Sequence, residues 1–132
     1  MVRRLDLALK GIAWEAIFVD DNSPDGTAEA VKEIARQDPR VRCLKRIGRR
    51  GLAGACIEGM LSSAAPFVAV IDADLQHDEK VLPAMLARLE AGEADLVAAT
   101  RYVAGGSAAS FSESRGAISR LATRLTDRKS VV

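Results

Sequence analysis

The chain has 132 residues, of which 48% are apolar and 28% charged, as is ordinary for one globular domain with a single core. Its 19 Lys and Arg residues nearly balance its 18 Asp and Glu residues, and the net charge of +1 argues against a general basic surface for nucleic acid. We therefore predict a single, partial domain over residues 1–132, with no nucleic-acid partner and with any anion site confined to a local cluster.

Strands and helices are predicted to alternate along the chain. Helical spacing of apolar residues follows Gly26 and recurs in the segment closed by Gly92. Such alternation implies right-handed crossovers and a mostly parallel sheet with helices on both faces, so the predicted fold class is α/β and Rossmann-like. The four β-rich apolar runs predicted as strands are Trp14–Val19, Val41–Lys45, Pro66–Ile71 and Asp95–Ala99.

Both ends of the chain look incomplete for such a sheet. A helix predicted over Val2–Lys10 has no strand before it, and a helix predicted over Glu113–Thr126 is followed only by the polar tail Asp127–Val132. We expect a fragment, or an unusually short member, of something larger. An uncapped sheet edge would favour a homo-oligomer formed by pairing with another copy of the chain.

Cysteine use and the length of the apolar runs indicate the compartment. Cys43 and Cys56 lack metal-type spacing, and free thiols are typical of a reducing compartment. The longest apolar run, Ala64 to Ile71, is far shorter than the ~20 residues of a transmembrane helix, and no signal peptide opens the chain. We expect a cytoplasmic protein without a transmembrane segment, which could act peripherally on the cytoplasmic membrane face.

The segment from Val70 to His77 has the pattern of a divalent-metal site. An apolar run ends in Asp72 and Asp74, and residues two apart leave the same face of a strand, so both carboxylates can reach one cation. Gln76 supplies a third oxygen, and hard cations such as Mg²⁺ combine such ligands with substrate phosphates. The alternative is a solvated turn after a buried strand, in which His77 has no role.

Two further loops follow predicted strands. Asp20 to Thr27 is rich in turn residues, and either serves as a capped loop or presents Asp21 to a base N–H or ribose hydroxyl. Arg46, Arg49 and Arg50 lie among glycines before a helix, a setting that favours phosphate; a solvated basic loop is the alternative.

A second anion site is indicated near the end of the chain. Arg115 and Ser119 are four residues apart and therefore share one helical face, where they could bind an anion together with Arg101.

Taken in order, these motifs resemble the polyprenol-phosphate (dolichol-phosphate) mannosyltransferases of glycosyltransferase family 2. The resemblance extends from about Val2 to Leu125. The motifs that carry it are Phe18–Thr27, Arg49-Arg50-Gly51-Leu52, Asp72–His77, Arg101-Tyr102 with Gly105-Gly106, and Ser114-Arg115 with Ser119-Arg120.

The resemblance implies a glycosyltransferase A fold, incomplete here, and an inverting, metal-dependent hexosyltransferase. Its donor would be a nucleotide sugar, most typically GDP-mannose, and its acceptor a polyprenyl (dolichyl) phosphate. The lipid phosphate oxygen would attack the anomeric carbon while a metal ion neutralises the departing diphosphate. The sequence does not select the sugar or the base, because the family's Pro-x-Tyr-Asn-Glu type motif is absent.

The resemblance also implies roles for individual residues. A Mg²⁺ or Mn²⁺ ion would be held by Asp72, Asp74 and Gln76. The catalytic residues would be Asp72, Asp74 and Arg101. The donor nucleotide would be bound by Asp20, Asp21, Arg49 and Asp72, and the acceptor phosphate by Arg101, Arg115 and Ser119.

Two alternative functions stay open on the sequence. A phosphoacceptor receiver domain also combines an acidic pair, here Asp20 and Asp21, with a later strand-end aspartate and a threonine, here Asp72 and Thr100. A truncated glycosyltransferase domain could instead bind nucleotide without catalysis.

Overall fold

A computed structural model describes residues 1–99 of the chain. Within it, Met1–Val97 forms one compact unit. The elements, in chain order, are α1 (Val2–Ala8), β1 (Ala16–Asp20), α2 (Thr27–Gln37), β2 (Val41–Lys45), α3 (Leu52–Leu61), a 3-10 helix (Glu79–Val81) and α4 (Leu82–Glu90). The predicted single domain over residues 1–132 stays a prediction, because residues 100–132 lie outside the described part.

The two strands run parallel and are hydrogen-bonded to each other, with Ala16 opposite Val41 and Asp20 opposite Lys45. The Arg46 N–H donates to the Asp20 carbonyl at 2.8 Å, so the pairing continues one step beyond β2. Both strands therefore end at the same edge of the sheet, and the loops after them start side by side. This arrangement confirms the predicted α/β class with a parallel sheet.

Local sequence explains where α2 begins and ends. Gly26 precedes the helix with a φ of 82°, a left-handed conformation that glycine adopts without steric cost. The helix stops at Gln37, because Pro39 disfavours helical geometry in the residue before it, and Asp38 is extended. α2 contacts both strands, and α3 contacts β1. The buried apolar residues of the described part are Leu5, Ala28, Val31 and Val41.

Two predicted strands are wrong for the described residues. Pro66–Ile71 and Asp95–Ala99 belong to no strand, and large apolar side chains in both segments, including Phe67, Val70 and Leu96, are exposed. The composition of these runs suits a strand, but a strand also needs a hydrogen-bonding neighbour. Within residues 1–99 only β1 and β2 have one.

Two other predicted boundaries shift by one to two residues. The first helix ends at Ala8 rather than Lys10, and the first strand runs from Ala16 to Asp20 rather than from Trp14 to Val19. No helix within residues 1–99 combines the length and the apolar character that a membrane span requires.

Candidate functional site

The loop after β1 begins with two aspartates whose side chains make different contacts. Asp20 is 6% exposed, and its Oδ2 accepts a hydrogen bond of 3.0 Å from the Ser23 backbone N–H. Asp21 is partly exposed, and its Oδ2 accepts from the Gly51 N–H at 2.8 Å. Asp20 therefore shapes its own loop, whereas Asp21 connects the loop after β1 to the loop after β2.

The loop after β2 contains the three arginines predicted to favour phosphate. They differ in their exposure to solvent. Arg46 is 3% exposed, and its Nη1 donates to Asp21 Oδ1 at 2.7 Å. Arg49 and Arg50 are exposed, and Arg49 Nη1 lies 3.1 Å from Glu58 Oε1. Of these three arginines, Arg49 and Arg50 are therefore the two that a phosphate in solution can reach.

Glu58 was not identified as a site residue from the sequence, and Arg46 was predicted only as one of three arginines favouring phosphate, not as a buried partner of Asp21. Glu58 lies on α3, and its Oε1 is within 3.3 Å of Arg46 Nε and 3.1 Å of Arg49 Nη1. It therefore places one negative charge between a buried and an exposed guanidinium. Gly54 and Glu58 are four residues apart, which places a residue without a side chain and a carboxylate on the same face of a helix. This spacing is the sequence signal that could have indicated room and a negative charge for an arginine.

The predicted metal-binding residues lie together in the loop that precedes the 3-10 helix. Asp72, Asp74, Gln76 and His77 are all exposed. Asp74 Oδ1 accepts from the Gln76 N–H at 2.9 Å, which forms a local turn, and His77 Nε2 lies 3.4 Å from Asp72 Oδ2. Leu75, between Asp74 and Gln76, has a φ of 63°.

Carboxylate and amide oxygens of this kind suit a hard divalent cation. In the described part of the chain, no three His, Cys, Asp or Glu side chains converge as a metal-binding group. Any cation bound by Asp72 and Asp74 would therefore complete its shell with the Gln76 amide, with water or with substrate phosphate.

The structure does not join all the predicted site residues. Asp21 and Arg49 are linked through Arg46 and Glu58, but no hydrogen bond or ion pair within residues 1–99 connects this group to the loop of Asp72 and Asp74. The predicted acceptor residues Arg101, Arg115 and Ser119 lie outside the described residues, as does Thr100.

Polar loops at the ends of adjacent parallel strands are typical of α/β proteins that bind ligands beyond the carboxyl edge of the sheet. A sequence model of glycosyl transferase family 2 matches residues 2–130. The chain belongs to this family, whose fold is glycosyltransferase A, so the resemblance noted from the motifs is confirmed. The family assignment does not favour the receiver-domain alternative.

Three relatives carry the name dolichol-phosphate mannosyltransferase. The one from Pyrococcus furiosus is 38% identical over 103 residues, which cover 78% of this chain and 29% of the relative. Those from Saccharomyces cerevisiae and Mycosarcoma maydis are 37% and 38% identical over 91 residues, or 69% of this chain and 33% and 31% of the relatives. The chain thus spans about a third of the length of these relatives.

Proposed function

We propose that this chain forms the donor-binding part of an inverting, metal-dependent hexosyltransferase that moves mannose from GDP-mannose onto a polyprenyl (dolichyl) phosphate. The observation that carries the proposal is the family match over residues 2–130, together with relatives named dolichol-phosphate mannosyltransferase. The positions of the polar loops agree with it, because Asp21 and Arg49 follow adjacent strand ends.

On the donor side, we assign the nucleoside to Asp21 and the diphosphate to Arg49 and to a cation held by Asp72. Asp20 was also predicted to bind the nucleotide, but its buried carboxylate accepts from the Ser23 N–H and supports the loop instead. Asp21 accepts two hydrogen bonds from the protein, but a carboxylate offers about four acceptor positions, so it can still accept from a base or ribose. Arg49 has a side chain that is 64% exposed and carries the fork of donors that suits phosphate oxygens.

The oxygen ligands Asp72, Asp74 and Gln76 fit a Mg²⁺ or Mn²⁺ ion. Their exposure supports this assignment, since the side chains are accessible to a cation and to a diphosphate. When bound, the cation would neutralise charge on the departing diphosphate. Asp72 and Asp74 would hold the ion, and Gln76 would contribute a neutral oxygen.

On the acceptor side, we assign the lipid phosphate to Arg101, Arg115 and Ser119. A phosphate monoester has a second pKa of about 6 and is largely ionised at neutral pH, so its oxygen can attack without a dedicated general base. Arg101 would bind the lipid phosphate, and attack of the phosphate oxygen on the anomeric carbon from the face opposite the diphosphate would give inversion. Because the acceptor is a lipid, we place the reaction at the cytoplasmic membrane face, in keeping with the free thiols of Cys43 and Cys56.

Association of two copies through the sheet edge stays a prediction. Within residues 1–99 the sheet has two strands, so β1 and β2 each have one edge without a strand neighbour. Such edges favour pairing with another chain.

Calorimetric titration tests the proposed function. GDP, GDP-mannose, UDP and UDP-glucose would be titrated with and without Mn²⁺ into this chain and into an Asp72→Ala, Asp74→Ala double variant. We expect Mn²⁺-dependent binding of the guanine nucleotides and its loss in the double variant. Asp78→Asn is the matched control, because Asp78 is a neighbouring carboxylate whose Oδ1 already accepts from the Lys80 N–H.

Each other outcome has a definite meaning. Tighter binding of UDP and UDP-glucose than of the guanine nucleotides would mean that the donor is a UDP-sugar and not GDP-mannose. Nucleotide binding that needs neither Mn²⁺ nor the two aspartates would contradict the metal assignment. Binding without sugar transfer to a polyprenyl phosphate would favour the non-catalytic nucleotide-binding alternative.

A further inference from the structure

Arg46 is the most deeply buried basic residue of the described part of the chain. It follows β2 directly and is 3% exposed, with its backbone N–H paired to the Asp20 carbonyl at 2.8 Å. A buried guanidinium is unfavourable unless its charge and its donors are matched. The groups that match it therefore indicate what the residue does.

The first of these groups belong to the two loops at the strand ends. Arg46 Nη1 donates to Asp21 Oδ1 at 2.7 Å and to the Gly51 carbonyl at 3.1 Å. The Gly51 N–H in turn donates to Asp21 Oδ2 at 2.8 Å. Arg46, Asp21 and Gly51 thus form a closed ring of hydrogen bonds in which both Asp21 oxygens are held.

The first turns of α3 form the other side of the guanidinium's environment. A Cβ atom placed on Gly54 would lie only 2.9 Å from Arg46 Nη2, so a side chain at that position would displace the guanidinium. Glu58, one helical turn further, approaches Nε to 3.3 Å, although Nε has no hydrogen-bond acceptor within residues 1–99. Helix α3 therefore leaves space for Arg46 and faces it with a negative charge.

Stability alone does not account for this arrangement, because apolar residues often replace buried ion pairs without loss of stability. The arrangement does restrict where the Asp21 carboxylate can lie. Resting on the function proposed above, we propose that Arg46 is a positioning residue of the donor site, which orients Asp21 towards the nucleoside of a nucleoside diphosphate. Arg46 itself has no access to the ligand.

The two parts of a nucleoside diphosphate would depend on different residues. The nucleoside depends on Asp21, whereas the diphosphate depends on Arg49 and on the cation held by Asp72 and Asp74. Loss of Arg46 should therefore weaken binding of GDP much more than binding of inorganic pyrophosphate, to which Arg46 is connected only through the Glu58 carboxylate that it shares with Arg49. A merely structural role would weaken both equally.

The experiment is calorimetric titration of GDP and of pyrophosphate, each with Mn²⁺, into the full chain and its variants. For Arg46→Met and for Gly54→Ala we expect a roughly tenfold loss of GDP affinity, the scale of one hydrogen bond to a charged group, and a much smaller change in pyrophosphate affinity. Arg46→Lys should lose less, because it keeps the charge but not the fork of donors. Arg42→Met is the control, since Arg42 lies on β2 and is exposed.

A second measurement tests the positioning without nucleotide. Hydrogen exchange at the Gly51 N–H should quicken in Arg46→Met and in Gly54→Ala, but not in Arg42→Met. Unchanged exchange at Gly51, or equal losses of GDP and pyrophosphate in a folded variant, would overturn the positioning role. Failure of the unaltered chain to bind either ligand would overturn the proposed function and this inference with it.

Discussion

Arg4 and Glu79, 75 positions apart in the chain, are joined by a hydrogen bond of 2.6 Å from Arg4 Nε to Glu79 Oε1. Glu79 is 3% exposed, and its Oε2 is buried without a hydrogen-bond partner within residues 1–99. Glu79 begins the 3-10 helix that follows the loop of Asp72 and Asp74. The pair therefore connects α1 to the end of the loop that contains the predicted metal ligands.

The Arg4–Glu79 pair should make stability depend on pH. The hydrogen bond from Arg4 holds the pKa of the Glu79 carboxyl below its ordinary value of 4.5. A lowered folded-state pKa gives stabilisation that is complete at neutral pH and lost as the pH falls through that pKa. We expect Arg4→Met to lower the urea midpoint clearly at pH 7 and much less at pH 3.

Arg3→Met is the control for this prediction, because Arg3 is the neighbouring exposed arginine. It should leave the urea midpoint unchanged at both pH values. A difference between the unaltered chain and Arg4→Met that is the same at pH 7 and pH 3 would contradict the prediction.

Gly51 should be more sensitive to substitution than Gly48, although neither has an atom within 4 Å of an added Cβ. Gly51 has a φ of 124°, whereas Gly48 has a φ of 72°, close to the left-handed region that other residues sometimes adopt. We expect Gly51→Ala to lower the free energy of unfolding by about 1–3 kcal/mol, the cost of a sparsely populated backbone conformation. Urea denaturation measures this cost, and an equal or larger loss in Gly48→Ala would refute the comparison.

The turn before α2 should show a local shift in acidity. Asp25 Oδ1 accepts from the Thr27 hydroxyl at 2.6 Å and from the Thr27 N–H at 3.0 Å, and these bonds lower the pKa of the Asp25 carboxyl below 3.8. Thr27→Val removes the hydroxyl, so the Asp25 pKa should rise towards 3.8. Carboxyl NMR titration measures it, with Thr27→Ser as the variant that should keep the low value.

Cys43 should react slowly with alkylating reagents. Burial raises the pKa of its thiol above the ordinary 9.0, because the thiolate would lose solvation. Since the thiolate is the reactive form, we expect iodoacetamide to modify Cys43 at pH 8 more slowly than it modifies the same residue in urea. Site-resolved mass spectrometry measures both rates, and equal rates would mean that the thiol is not protected in the folded chain.

Much of the local structure could be predicted from the sequence. The strand Val41–Lys45 and the helix after Gly26 agree with their predicted positions, because apolar spacing, turn residues and Pro39 act within a few residues. The α/β class follows from the alternation of these patterns. The ordered motifs also identified the family before any tertiary contact was known.

The tertiary structure decided which residues are buried and which partners they have. Whether Pro66–Ile71 pairs as a strand depends on a neighbour that composition does not specify, and in the described part it has none. The burial of Arg46 and Glu79 depends on Asp21 and Arg4, which are distant in sequence. Local patterns determine secondary structure, whereas the environment of a charged side chain is set by segments that only folding brings together.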